Sequence, residues 1–93
     1  LVRIPGDWYD WPVITVRLFG AAKAAAGCAE TASAATSLAE LTRELVSKYG
    51  PALECVLPRC SYLVDGVAVL PRARETPFEP GVTVDVLPPF AGG

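Results

Sequence analysis

The sequence predicts a small α+β domain in which a mixed β-sheet is crossed on one face by a single main helix. Three observations predict it. Val13-Ile14-Thr15-Val16-Arg17-Leu18-Phe19 is rich in β-branched and aromatic residues and alternates apolar with polar positions. Val82-Thr83-Val84-Asp85-Val86-Leu87 alternates in the same way near the other end. Between them, Ser37 to Tyr49 carries apolar residues at helical spacing along one stripe, so it has one face to bury. A strand–helix crossover allows parallel pairing of central strands, and a one-sided helix needs a sheet to cover.

Taken in order, residues 1–12 read as an N-terminal extension. Pro5-Gly6-Asp7 is turn-like, and Trp8, Tyr9 and Trp11 fall within four positions, which suits an arm packed on the body or a partner-binding segment. In the first strand Ile14, Val16 and Leu18 are expected to face the core, with Val13, Thr15, Arg17 and Phe19 on the opposite face. An exposed Phe19 there can seed an interface. Gly20 to Gly27 is Ala-rich and fits a loop or a short helical turn, and Glu30 to Ala34 is a weak strand that would form a hairpin with the first.

Ser37 and Glu40 are spaced as a capping box at the start of the main helix. Leu38, Leu41, Leu45 and Tyr49 make its apolar stripe with Val46 beside it, while Arg43, Glu44, Ser47 and Lys48 are expected to face water. Gly50 is expected to supply a left-handed stop, and Pro51 to prevent continuation. Pro51 to Pro58 suits a short helical turn closing the core through Leu53, Val56 and Leu57. Ser61 to Val64 is a strand, Asp65-Gly66 a tight-turn signal, and Val67 to Leu70 the returning strand. Pro71 to Pro80 reads as loop and Pro80-Gly81 as a turn. In the last strand Val82, Val84 and Val86 point inward, and Thr83, Asp85 and Leu87 point the other way.

At 93 residues the chain forms one domain, and with 52% apolar and 19% charged residues it is globular rather than disordered. A net charge of −2, with eight basic residues scattered along the chain, argues against nucleic acid. No apolar run approaches the roughly 18 residues of a membrane span. No charged-then-apolar leader opens the sequence, so a cytoplasmic location is expected. Cys28, Cys55 and Cys60 are expected to be reduced and structural or incidental, since no histidine or fourth cysteine completes a metal site and no histidine activates a thiol. Without histidine, a phosphate-cradling loop or a catalytic triad, a self-contained active site is not expected. Chemistry on this chain would be performed by a partner.

The closing residues, 88–93, are where that chemistry would fall. Pro88-Pro89 has fixed φ and holds the following residues extended. Gly92 and Gly93 carry no side chains, so they suit a narrow channel in which a Cβ would clash and the carboxylate is the reacting group. A terminal Gly-Gly arises by chance about once in 200 chains at average glycine usage, so the pair gains its weight from what precedes it.

Val16-Arg17-Leu18-Phe19-Gly20-Ala21-Ala22-Lys23, the capped helix at Ser37, the Val64-Asp65-Gly66 turn, the Pro80-Gly81-Val82 entry and the closing Leu87-Pro88-Pro89-Phe90-Ala91-Gly92-Gly93 together resemble the ubiquitin-like sulfur-carrier proteins. The resemblance covers about residues 13–93. It is closest to the MoaD group, small subunits of molybdopterin synthase, and more distant to the ThiS group of thiamin synthesis. It implies a β-grasp fold over residues 13–87 and a flexible Gly-Gly tail at 88–93. It also implies that a ubiquitin-activating-type (MoeB/ThiF-like) enzyme adenylates the Gly93 carboxylate with ATP. A sulfurtransferase-derived sulfur then replaces AMP to give a thiocarboxylate, which is used in a MoaE-like large subunit. The carrier itself would bind no cofactor. Gly92 would provide bare backbone for the channel. Pro88, Pro89, Phe90 and Ala91 would contact its walls, and Phe19 and Leu87 would face the partner. Phe90 stands where MoaD proteins usually have a smaller residue such as Val. Three alternatives stay open: a carrier for thiamin, cysteine or a secondary metabolite, a ubiquitin-like modifier forming isopeptide bonds, and a plain binding module.

Overall fold

The computed structural model describes residues 13–89; the extension at 1–12 and the tail positions Phe90, Ala91, Gly92 and Gly93 lie outside the described residues. The chain runs β1 (Ile14–Leu18), α1 (Gly20–Ala26), β2 (Glu30–Ser33), α2 (Leu38–Tyr49), α3 (Pro51–Val56), β3 (Ser61–Val64), β4 (Val67–Ala68) and β5 (Thr83–Leu87). Short 3-10 turns stand at Leu57–Arg59 and Pro71–Ala73.

The five strands form one mixed sheet in the order β2-β1-β5-β3-β4. The first and last strands pair in parallel at its centre, with Val16 opposite Val84 and Arg17 opposite Asp85. β2 returns antiparallel along β1, and β3 lies antiparallel to β5. Alternation decides which residues go inside. Ile14, Val16 and Leu18 of β1 and Val84 and Val86 of β5 are buried against Leu38, Leu41 and Leu45 of α2 and Leu53 of α3. Full burial of each such leucine contributes about 1.5–3 kcal/mol against leaving it in water.

Several local outcomes differ from the expectations. Gly20 to Ala26 is a seven-residue helix, closed by Gly27 in the left-handed region at φ 79°. The Ser37 oxygen caps α2 by accepting from the Glu40 N–H at 3.2 Å. The reciprocal bond goes elsewhere: the Glu40 carboxylate accepts from the backbone N–H and hydroxyl of Thr36, which pulls its pKa below the usual carboxylate value. Ala39 N–H, an orphan donor of the first turn, is met by the Arg74 carbonyl at 2.9 Å. The 71–80 connection is therefore pinned to α2, and Phe78 packs against the core.

Gly50 ends α2 with positive φ but an extended ψ (90°, −168°), outside the expected left-handed well. Pro51 does more than prevent continuation: it opens α3 at a position where its missing N–H is not needed. Glu44 does not simply face water, since it accepts from the Ser33 hydroxyl at 2.8 Å. The returning strand β4 is only two residues long; one more backbone bond, from Val69 N–H to the Tyr62 carbonyl at 2.9 Å, follows it before Pro71 starts a 3-10 turn. Asp65 (φ 48°) and Gly66 (φ 84°) both take positive φ, the requirement of the hairpin turn their sequence signals.

Candidate docking face and tail root

α2 and α3 cover one face of the sheet, and the candidate partner-facing residues Phe19 and Leu87 belong to the other face. β1 ends at Leu18, one position earlier than expected, and Phe19 becomes the extended N-cap residue of α1. Its N–H still donates to the Val86 carbonyl at 3.2 Å. The ladder thus carries Phe19 alongside Leu87 at the end of β5. Phe19 keeps 40% of its surface exposed and Leu87 is half-buried, so an apolar spot stands where the chain leaves the sheet. An exposed aromatic beside a leucine is a suitable anchor for a partner.

One row back, Arg17 lies over Asp85. Its Nε donates to Oδ1 at 2.6 Å and its Nη2 to Oδ2 at 3.0 Å, a two-pronged pair. The carboxylate is nearly buried, although alternation points Asp85 away from the core, because the Arg17 side chain covers it. Hydrogen bonding and charge from Asp85 raise the Arg17 pKa further. The guanidinium also sits 6.0 Å from the centre of the Phe19 ring, so the apolar spot is braced by a cation on one side. Nothing in the pattern of either strand announces this pair; its only trace is an acid and a base at matched positions in two strands whose register was unknown.

At the end of β5, Pro88 is half-buried and Pro89 exposed. Pro88 has no N–H and closes the ladder. Both prolines line a cleft of about 320 Å³ with Ala21, Cys55, Val56 and Arg59, between α1 and α3. Of the sequence-predicted site residues, the structure thus brings Phe19, Leu87, Pro88 and Pro89 to one end of the sheet, and Phe90, Ala91, Gly92 and Gly93 lie outside the described residues.

The cysteines do not converge. Cys28 Sγ lies 3.4 Å from the Tyr49 hydroxyl, Cys60 Sγ donates to the Val56 carbonyl at 3.4 Å, and Cys55 is exposed. Burial pushes the Cys60 thiol pKa up, which disfavours a reactive thiolate. Among the described residues no group of three or more His, Cys, Asp or Glu could hold a metal ion. Among them, too, no helix is long and apolar enough to cross a membrane.

With this geometry in place, comparison with known proteins decides the family. The model of the ThiS family matches residues 16–93, more than four-fifths of the chain. The chain belongs to the ThiS family. It is a ThiS/MoaD-type, ubiquitin-like sulfur carrier with a β-grasp fold. Small archaeal modifier protein 1 from Methanosarcina acetivorans has the same fold, with a TM-score of 0.75 at 24% identity, over 87% of this chain and 96% of that one. Its counterpart from Haloferax volcanii gives 0.71 at 22% identity, over 87% and 99%. A complex of subunits 1 and 2 of molybdopterin-converting factor from Helicobacter pylori contains a chain with a TM-score of 0.64 at 26% identity, over 87% of this chain and 99% of that one. No curated protein matches the chain.

Proposed function

We propose that this ThiS-family chain carries sulfur as a thiocarboxylate on Gly93 and delivers it as the small subunit of a molybdopterin synthase. The observation that carries this reading is the continuity of the site. The central strand β5 runs through the apolar spot of Leu87 and Phe19 into Pro88-Pro89 and on toward Gly92-Gly93. A partner that grips the spot also receives the tail. The H. pylori neighbour, solved with its subunit 2, supports a large-subunit partner of the MoaE kind.

In the proposed cycle a Gly93 carboxylate oxygen attacks the α-phosphorus of ATP inside a MoeB/ThiF-like enzyme, and pyrophosphate leaves. The terminal sulfur of a persulfide donor, itself charged by a sulfurtransferase, attacks the acyl carbon and AMP leaves; a second thiol then cleaves the S–S bond of the acyl disulfide, which frees the thiocarboxylate and leaves the donor as a disulfide. Within the large subunit the thiocarboxylate sulfur bonds to an electrophilic carbon of the acceptor, and water then cleaves the resulting thioester, leaving the sulfur on the acceptor and the carboxylate on Gly93. The chain supplies no acid or base to these steps. It contributes a docking face, a stiff proline root and two residues without side chains.

The test is reconstitution. The purified chain is charged with the adenylating enzyme, ATP and a sulfur donor, then mixed with the large subunit and the pterin precursor of the molybdenum cofactor. Sulfur transfer to the pterin is the expected result. A charged chain that passes sulfur only to a thiamin or cysteine precursor would redirect the pathway, and attachment to protein lysines would make it a modifier.

A further inference from the structure

We propose that Gly20 is a positioning residue for sulfur delivery: its missing Cβ forms the notch in which Pro88 seats, and this seat sets the angle at which the tail leaves the sheet. The inference rests on the carrier reading above and adds to it a residue that no motif assigns.

Gly20 opens α1 at φ +54°, directly after Phe19. A Cβ built there would lie 2.7 Å from Pro88 Cγ, 3.5 Å from Cδ and 3.8 Å from Cβ. The first distance is well inside van der Waals contact, and a proline ring has no long flexible side chain to swing away. Something must move, and Pro88 is the residue against which the added atom would press. The other described glycines with positive φ, Gly27, Gly50, Gly66 and Gly81, have nothing within 4 Å of such an atom. Their turns require glycine for backbone conformation; Gly20 alone among them is also required for space. The surroundings fit a seat. Pro88 is half-buried there, and beyond it the two prolines lie along the cleft formed with Ala21, Val56 and Arg59. Pro88 φ is fixed by its ring, so holding that ring also holds the direction of the next peptide. Group transfer is sensitive to such direction: a misplacement of about 1 Å can cost on the order of a hundredfold in rate.

The test compares Gly20→Ala with Gly27→Ala. Gly27 has φ +79° and open space around it, so alanine there carries the backbone strain without the collision. Both variants are expected to lose stability. Only Gly20→Ala is expected to lose charging by the adenylating enzyme, with kcat falling roughly tenfold or more and KM little changed, because the docking face of Phe19 and Leu87 is intact. Equal charging by the two alanine variants would overturn the proposal. Should Gly20→Ala fail to fold, Pro88→Gly empties the notch from the other side and is expected to show the same fall in kcat; unchanged kcat would overturn it. A separate NMR measurement uses no enzyme. Nuclear Overhauser contacts between the Gly20 α-protons and the Pro88 ring are expected in the wild type, and their absence would overturn the seat. If those contacts are present but the wild-type chain is not charged, the carrier reading has failed and the seat has not.

Discussion

Replacing Tyr62 by Phe should lower stability near neutral pH and raise it in alkali, so that the two proteins exchange rank. Tyr62 is buried on β3, and its hydroxyl donates to the Leu57 carbonyl at 2.8 Å. Losing that bond and stranding the carbonyl costs about 1 kcal/mol. The opposing effect comes from ionisation. Burial, with a smaller contribution from the neighbouring Cys60 charge, pushes the Tyr62 pKa from 10.0 up to about 12. Folding thus favours the neutral phenol. That contribution is complete below pH 10, where both states are neutral, and drains away as pH rises from 10 toward 12, where only the unfolded chain ionises. A shift of this size corresponds to at most about 2.7 kcal/mol, reduced to about 2 because Tyr62 lines a groove open to solvent. The wild type therefore leads by about 1 kcal/mol at pH 8 and the Phe variant leads by a similar amount near pH 12, with a crossing near pH 11. Urea unfolding midpoints of both proteins at matched pH between 8 and 12 measure it. Every other ionisable group is common to the two proteins, so the difference isolates Tyr62. A difference that stays constant across this range would refute the reasoning.

Phe19→Ser should leave the urea midpoint nearly unchanged, since the ring is 40% exposed, but weaken binding to the adenylating enzyme or large subunit by about five- to thirtyfold in a calorimetric titration. Ser37→Ala should cost about 1 kcal/mol in urea unfolding through loss of the bond to the Glu40 N–H. Arg17→Gln should lower the urea midpoint more than Asp85→Asn, because it strands a nearly buried carboxylate whereas the other change leaves a half-exposed guanidinium free to turn to water; equal midpoints would contradict the assigned roles.

Much of this architecture was legible because the signals were local. The alternation in β1 and β5, the stripe and Ser37 cap of α2, and the Asp65-Gly66 turn each depend on residues within one element. α1 was ambiguous because a run of alanines has helix propensity but no stripe to show a buried face, and Ala22 is its one buried residue. The full length of α3 is not legible because Pro51 can end one helix or begin the next, and the choice depends on the unusual Gly50 backbone before it. The alternation rule set Asp85 on the outer face correctly and still missed its burial, which Arg17 imposes from the neighbouring strand. At the site, Phe19 and Leu87 were legible as outward apolar positions. The Gly20 notch was not, because Pro88 lies 68 residues further along the chain and only the parallel pairing of β1 with β5 brings the two together.

The central claim is that Gly93 carries sulfur, and intact mass spectrometry of the chain tests it most directly. The chain is incubated with its adenylating enzyme, ATP and a sulfur donor, then fragmented with cysteine oxidation excluded, since oxygen added to a thiol gives nearly the same mass gain. The account predicts exchange of one oxygen for sulfur, localised to Gly93 and lost when ATP is omitted. A chain that forms neither adenylate nor thiocarboxylate under these conditions, while still binding the enzyme, would contradict it.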